Sequence, residues 1–158
     1  MLLLIDELLR VKRIREDAAI QAMNEKQLQL EQCRKDLERK VIKHDHYIEW
    51  RKAEEQRLYA EVLNKTVHAY NLNTMRDQIT SFQEKQQKLK EEIEQAEAAV
   101  TDANERLAEA KEARMDAYKT TQKYEEYKNI IATTENKEKE RREELEAEEF
   151  NLHTVHRP

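Results

Sequence analysis

LKEEIEQAEAAVTDANERLAEA, residues 89–110, sets Leu89, Ile93, Ala96, Val100, Ala103, Leu107 and Ala110 at alternating intervals of four and three. That spacing keeps one apolar stripe on a helix and makes it supercoil left-handedly against a partner helix. The same steps run back through Gln86, Phe82 and Ile79 to Met75, and forward through Arg114, Ala117, Thr121, Tyr124 and Lys128 to Ile131. Ala96, Ala103, Ala110 and Ala117 repeat at one of the two seam positions. Small side chains there let two backbones approach closely, which favours an antiparallel pair.

Composition points the same way. The 158 residues contain no glycine, and the one proline is Pro158. Tight turns and left-handed helix caps draw mainly on those two residue types, so few chain reversals are expected. Charged residues make up 40% and aromatics 6%, too little apolar bulk for a layered globular core. Disorder shares that signature, but the net charge is only −5 and the apolar residues keep a helical period. Residues 1–72 carry 14 basic and 13 acidic groups, and residues 73–158 carry 15 and 21. Neither half has the basic footprint of a nucleic-acid binder. The lone Cys33 suits a reducing compartment. The opening Leu2-Leu3-Leu4-Ile5 is broken at once by Asp6 and Glu7, far short of the ~20 apolar residues of a membrane span. No membrane insertion is expected.

The first half is helical with a rougher stripe: Leu4, Leu8, Val11, Ala18, Ala22, Leu30, Cys33, Leu37, Val41, Ile48, Leu58, Val62 and Ala69, with His44, Arg51, Glu55 and Lys65 inward or flanking. The one expected reversal is Tyr70-Asn71-Leu72-Asn73-Thr74, because asparagine tolerates left-handed backbone and Thr74 with Asp77 reads as a helix start. The fold class is therefore all-α, two long helices in an antiparallel coiled-coil hairpin. Its bounds are about 2–69, a turn about 70–74, and about 75–152, making each helix roughly 100 Å long. Residue n then faces about 145 − n. That sets Leu107 beside Leu37, Ala103 beside Val41 or Ile42, Tyr124 beside Ala22 and Ile131 beside Ile14, with Arg10 to Arg15 near the glutamates after Glu135. The competing arrangement is one continuous helix that dimerises.

Two groups of apolar residues exceed what a two-helix seam can cover. Ile42, Tyr47, Trp50, Tyr59, Leu63, Val67 and Tyr70 form one, and Trp and Tyr are frequent interface anchors. Widening of the coiled-coil face explains them equally well. Leu2, Leu3, Leu4, Ile5, Leu8, Leu9, Val11 and Ile14 surround the helix start and form the other, either a fraying end or an apolar tip for a protein socket. Chemistry finds no footing: there is no glycine-rich loop and no cysteine pair, His44 and His46 diverge on a helix, and neither a metal nor a cofactor is expected.

The stretch His46-Tyr47-Ile48-Glu49-Trp50-Arg51-Lys52-Ala53-Glu54-Glu55-Gln56-Arg57-Leu58-Tyr59 resembles the Trp-centred signature of the YscO family of bacterial type III secretion. Glu148-Glu149-Phe150 is similar to that family's acidic ending. The resemblance implies a non-enzymatic central stalk, related to the flagellar export protein FliJ and to the rotary axle of ATP synthase. Such a stalk sits in a hexameric export ATPase, reaches towards the export gate and engages secretion chaperones, at the cytoplasmic face of the inner membrane. Tyr47, Trp50, Arg51, Glu54, Glu55, Arg57, Tyr59 and Leu63 would then meet the gate or a chaperone. Leu3, Leu4, Leu8, Val11 and Ile14, with Leu145 and Phe150, would enter the ATPase ring. The alternatives are a general coiled-coil scaffold, which needs no Trp-centred patch, and a nucleic-acid-binding helical arm, which the charge balance disfavours.

Overall fold

The computed structural model describes residues 1–63 and 69–155. They form two helices, α1 (Leu2–Leu63) and α2 (Ala69–Val155), and no strand occurs among the described residues. Nothing interrupts either helix within its bounds: glycine is absent and the proline comes last. The threonines of α2 fit by bonding their hydroxyls to the carbonyl four residues back, as at Thr80, Thr101, Thr121, Thr133 and Thr134. No described helix is long and apolar enough to cross a membrane.

The chain divides into two compact units. One joins Met1–Met23 to α2 from Ala110 onward, and the other holds Asn24–Glu109. In the first, Lys128 Nζ pairs with Asp6 (2.7 Å), Arg13 with Glu125 (3.2 Å), and Arg114 Nη1 approaches Met23 Sδ (3.8 Å). Partners on α2 fall in number as those on α1 rise, so the helices run antiparallel. In the second, Cys33 lies beside Ala99 and Ala103, the Tyr47 hydroxyl donates to the Phe82 carbonyl (3.2 Å), and Tyr59 lies near Met75. That unit is antiparallel too.

The α2 seam follows the sequence pattern. Leu89, Ala96, Ala103, Leu107 and Thr121 are buried, and every other position from Met75 to Ile131 is half-buried except the exposed Arg114. The α1 seam differs from expectation in its first third. It runs Ile5, Leu9, Lys12, Glu16, Ala19, Met23, Lys26, Leu30, Cys33, Leu37, Lys40, His44, Tyr47, Arg51, Glu54, Leu58, an unbroken alternation of four and three in which no residue is exposed. Leu4, Leu8, Val11, Ala18 and Ala22, one residue out of step, are exposed, and so is Val41. The apolar criterion chose a neighbouring stripe because the true seam includes lysines and glutamates, whose aliphatic stems line a groove while their charges reach water.

The expected reversal also moves. Residues 70–74 belong to α2, so Thr74 and Asp77 stand inside the helix rather than at its start. α1 ends at Leu63 instead of 69 and α2 begins at Ala69 instead of 75, and the connection between them lies outside the described residues. Both boundaries come six residues early, and in an antiparallel pair each facing partner shifts by about twice that. Tyr124 therefore stacks under Lys12 Nζ (5.2 Å) and not beside Ala22, Ala103 lies beside Cys33 and not Val41, and Ile14 is exposed. Arg13 pairs with Glu125 and Arg10 with Glu7, not with the glutamates beyond Glu135. The asparagines permit helix here because their propensity penalty, about 0.5 kcal/mol each, is small beside the packing of Met75 and Ile79.

Adjacent leucines test the seam. Leu9 is 2% exposed and Leu8 is 38% exposed. Leu9→Ala should cost about 2–4 kcal/mol of unfolding free energy, and Leu8→Ala under about 1, in urea melts followed by circular dichroism. Equal losses would place the seam elsewhere. The register is checked by oxidation in a Cys33→Ser background. Lys12→Cys with Thr121→Cys should crosslink readily, since the Thr121 hydroxyl lies 3.5 Å from the Lys12 carbonyl. Ile14→Cys with Ile131→Cys should not.

Candidate functional site

Within the second unit, the aromatic motif of α1 packs against Phe82 of α2. Tyr47 and Trp50 are three apart on one helix face, with ring centroids 5.6 Å apart. Trp50 meets Phe82 edge-on at 5.2 Å, an arrangement that sets a positive ring edge against a negative face. Lys85 Nζ lies 5.2 Å from the centre of the Tyr47 ring. Tyr47 anchors the group through its bond to the Phe82 carbonyl, and burial pushes its phenol pKa up. Half of Trp50 remains exposed, as does half of Tyr59.

Charged residues brace the same face. Arg51 donates to Gln86 and pairs with Glu55 (3.6 Å), although its Nε is buried without a hydrogen bond. Arg57 bridges Glu54 and Glu61, the latter at 2.8 Å. Its hydrogen bond holds the Glu54 carboxyl below the usual range, and Glu54 in return raises the Arg57 guanidinium. A carboxyl lowered on folding stabilises the helix above its unfolded pKa and loses that contribution as pH falls through the folded value. Tyr59 lines an open groove of about 590 Å³ with Leu72, Met75 and Ile79.

Of the sequence-derived group, Tyr47, Trp50, Arg51, Glu54, Glu55 and Arg57 are joined to one another or to α2. Tyr59 borders the open groove, and Leu63 is 84% exposed at the end of α1. Tyr47 proves to be a seam residue rather than an off-seam one, while Ile42 is exposed. The side chains of Val67 and Tyr70 lie outside the described residues. Phe82, Lys85 and Gln86 were missed as members of this cluster. Phe82 and Gln86 stood on the α2 seam in the sequence, but the register expected there aimed Tyr47 at residues near 98.

In the first unit, Ile5 and Leu9 are buried in the seam, and Leu3, Leu4, Leu8, Val11 and Ile14 are exposed. Leu145 and Phe150, the other residues expected at this end, are exposed as well. Every residue from 136 to 155 is exposed, so this end of α2 has no α1 residue packed on it. Tyr127 and Ile130 of α2, which the seam pattern passed over, are exposed apolar residues of the same unit.

Two long helices joined by a narrow seam, with aromatic and aliphatic residues left over on the outside, define a coiled-coil hairpin. The sequence pattern of the family described as type III secretion protein YscO matches residues 5–153, and the chain belongs to that family of type III secretion proteins. Among solved structures it is similar to the type III secretion protein YscO from Vibrio parahaemolyticus, with 26% identity over 94% of each chain and a TM-score of 0.88. No curated protein matches the chain.

Trp50 is the only tryptophan, so its emission reports this cluster alone. Phe82→Ala should shift that emission to longer wavelength and increase quenching by acrylamide, with helix content unchanged. An unmoved spectrum would mean that Phe82 does not shield the indole.

Proposed function

We propose that this protein is the central stalk of a bacterial type III export apparatus, a non-enzymatic element that couples a hexameric ATPase to the export gate and engages secretion chaperones. It acts at the cytoplasmic face of the inner membrane. Membership of the YscO family supports the setting. The observation that carries the finer reading is the exposure of Leu3 and Leu4 at 84% and 65%, beside buried Ile5 and Leu9. A helix end that keeps one stripe for its own seam and leaves other leucines bare suits insertion into a socket lined by another protein. The half-exposed Trp50 and Tyr59, held by Phe82 and by the Arg57 bridges, supply a separate and rigid surface for the gate or a chaperone.

The two surfaces should separate in experiment. Adding the protein to the cognate ATPase should raise ATP hydrolysis, and Leu3→Gln with Leu4→Gln should abolish that increase while the melting curve stays in place. Trp50→Ala with Tyr59→Ala should leave ATPase stimulation intact and reduce secretion and chaperone capture by about tenfold, the worth of one lost anchor of 1–2 kcal/mol. If both double variants stimulate and secrete as the wild type does, the protein is a general scaffold.

A further inference from the structure

The exposed leucines of α1 are one wall of a groove. Leu4, Leu8, Val11 and Arg15 each precede a seam residue, Ile5, Leu9, Lys12 and Glu16, and so lie about 100° to one side of the seam. On α2, Lys123, Tyr127 and Ile130 likewise precede Tyr124, Lys128 and Ile131. In an antiparallel pair the residues preceding the seam on both helices fall on the same side. The ion pair Arg13–Glu125 verifies this, because both residues follow a seam residue and meet across the opposite edge. Leu4, Leu8 and Val11 therefore share one edge with Tyr127 and Ile130, each between 38% and 65% exposed. Arg15 and Lys123 lie along the same edge, and Lys123 Nζ rests 5.7 Å from the centre of the Tyr127 ring. Asp116 is the one acidic residue among the edge positions of this unit.

The far end of α2 is the complement. Between Glu143 and Val155 stand five glutamates and no lysine or arginine. Leu145 and Leu152, seven apart, share a helix face flanked by Glu148 and Glu149. Both leucines are exposed, and no described residue from 136 to 155 makes an ion pair with α1. Because α2 is one uninterrupted helix to Val155, this segment runs away from its own molecule's groove and cannot fold back into it.

We propose that a second copy of this chain covers the groove, residues 143–155 of each molecule lying along the Leu4, Leu8, Val11, Tyr127 and Ile130 edge of the other. Leu145 and Leu152 fill the apolar floor while Glu148 and Glu149 meet Arg15 and Lys123. The contact is reciprocal and closes on a two-fold axis, so it yields a dimer and not a fibre. Over each groove the result is a three-helix bundle, which gives the bare leucines a second seam. This inference does not depend on the stalk reading. Should both hold, self-association and ATPase binding use the same surface and exclude each other.

Sedimentation equilibrium of the full chain tests it. The wild type should be a concentration-dependent dimer that weakens with salt. Arg15→Glu with Lys123→Glu should raise the dimer dissociation constant by at least about tenfold, and Leu145→Gln with Leu152→Gln should do the same. All four positions are exposed or polar, so helix content by circular dichroism should not change. Adding Glu148→Lys and Glu149→Lys to the Arg15→Glu/Lys123→Glu chain should restore dimerisation, a result general destabilisation would not produce. A wild type that stays monomeric at every concentration, a dimer indifferent to Leu145→Gln/Leu152→Gln, or failure of the charge exchange to rescue would each overturn the proposal. ATPase stimulation by the wild type, measured separately, tests the stalk reading and not this one.

Discussion

A helix that pairs with only one other helix can bury one stripe, and that narrow seam governs the rest of this molecule. Leu9 and Leu30 are the deepest side chains of the α1 seam, and the alanines at 96 and 103 are buried in the α2 seam. Among the described residues no second layer takes up further apolar side chains. Whatever lies one step off the seam remains at the surface, whether or not it is apolar. This is why Leu4 and Ile130 are bare although Ile5 and Ile131, their immediate neighbours, are not.

The seam of α1 is also unusually polar. Lys12, Glu16, Lys26, Lys40, His44, Arg51 and Glu54 occupy it, and His44 Nε2 and Arg51 Nε are buried without hydrogen bonds. Such groups reduce stability relative to leucine, since a buried donor or acceptor left unpaired loses its bond to water. They also discriminate between registers, because a slipped alignment would set them against different neighbours. The cluster at Tyr47, Arg51 and Trp50 does this through Phe82 and Gln86, and the same contacts hold the indole in place while leaving half of it accessible. The residues that fix the register thus also leave part of the indole at the surface.

Membership of the YscO family and likeness to a type III secretion structure set the biological context. Within it, the two surplus surfaces have different characters. The motif surface is aromatic and braced by arginine bridges. The α1 leucine edge is aliphatic and flanked by positive charge, and the end of α2 is acidic. Opposite chemistry at the two exposed elements of one unit is what makes self-complementarity a physical expectation there.

Residue types alone established that the chain would be helical and which face of α2 would be inside, and they favoured two helices over one. Each follows from local rules: helix propensity, the lack of glycine, and apolar residues repeating every seven. The motif around Trp50 was recognisable for the same reason, being contiguous. The alignment of one helix on the other was not recoverable. Sliding an antiparallel pair by about three turns, roughly eleven residues, returns each stripe to its partner, so the expected and observed partners of Tyr124, Ala22 and Lys12, both look acceptable. Nor did hydrophobicity reveal that Lys12 and Glu16 would be inward and Leu8 and Val11 outward, because the aliphatic stem of a long charged residue fills a seam as well as a small apolar one. Those choices needed both helices in place, since only the sum of all pairings along the seam separates arrangements that every local segment finds nearly equal.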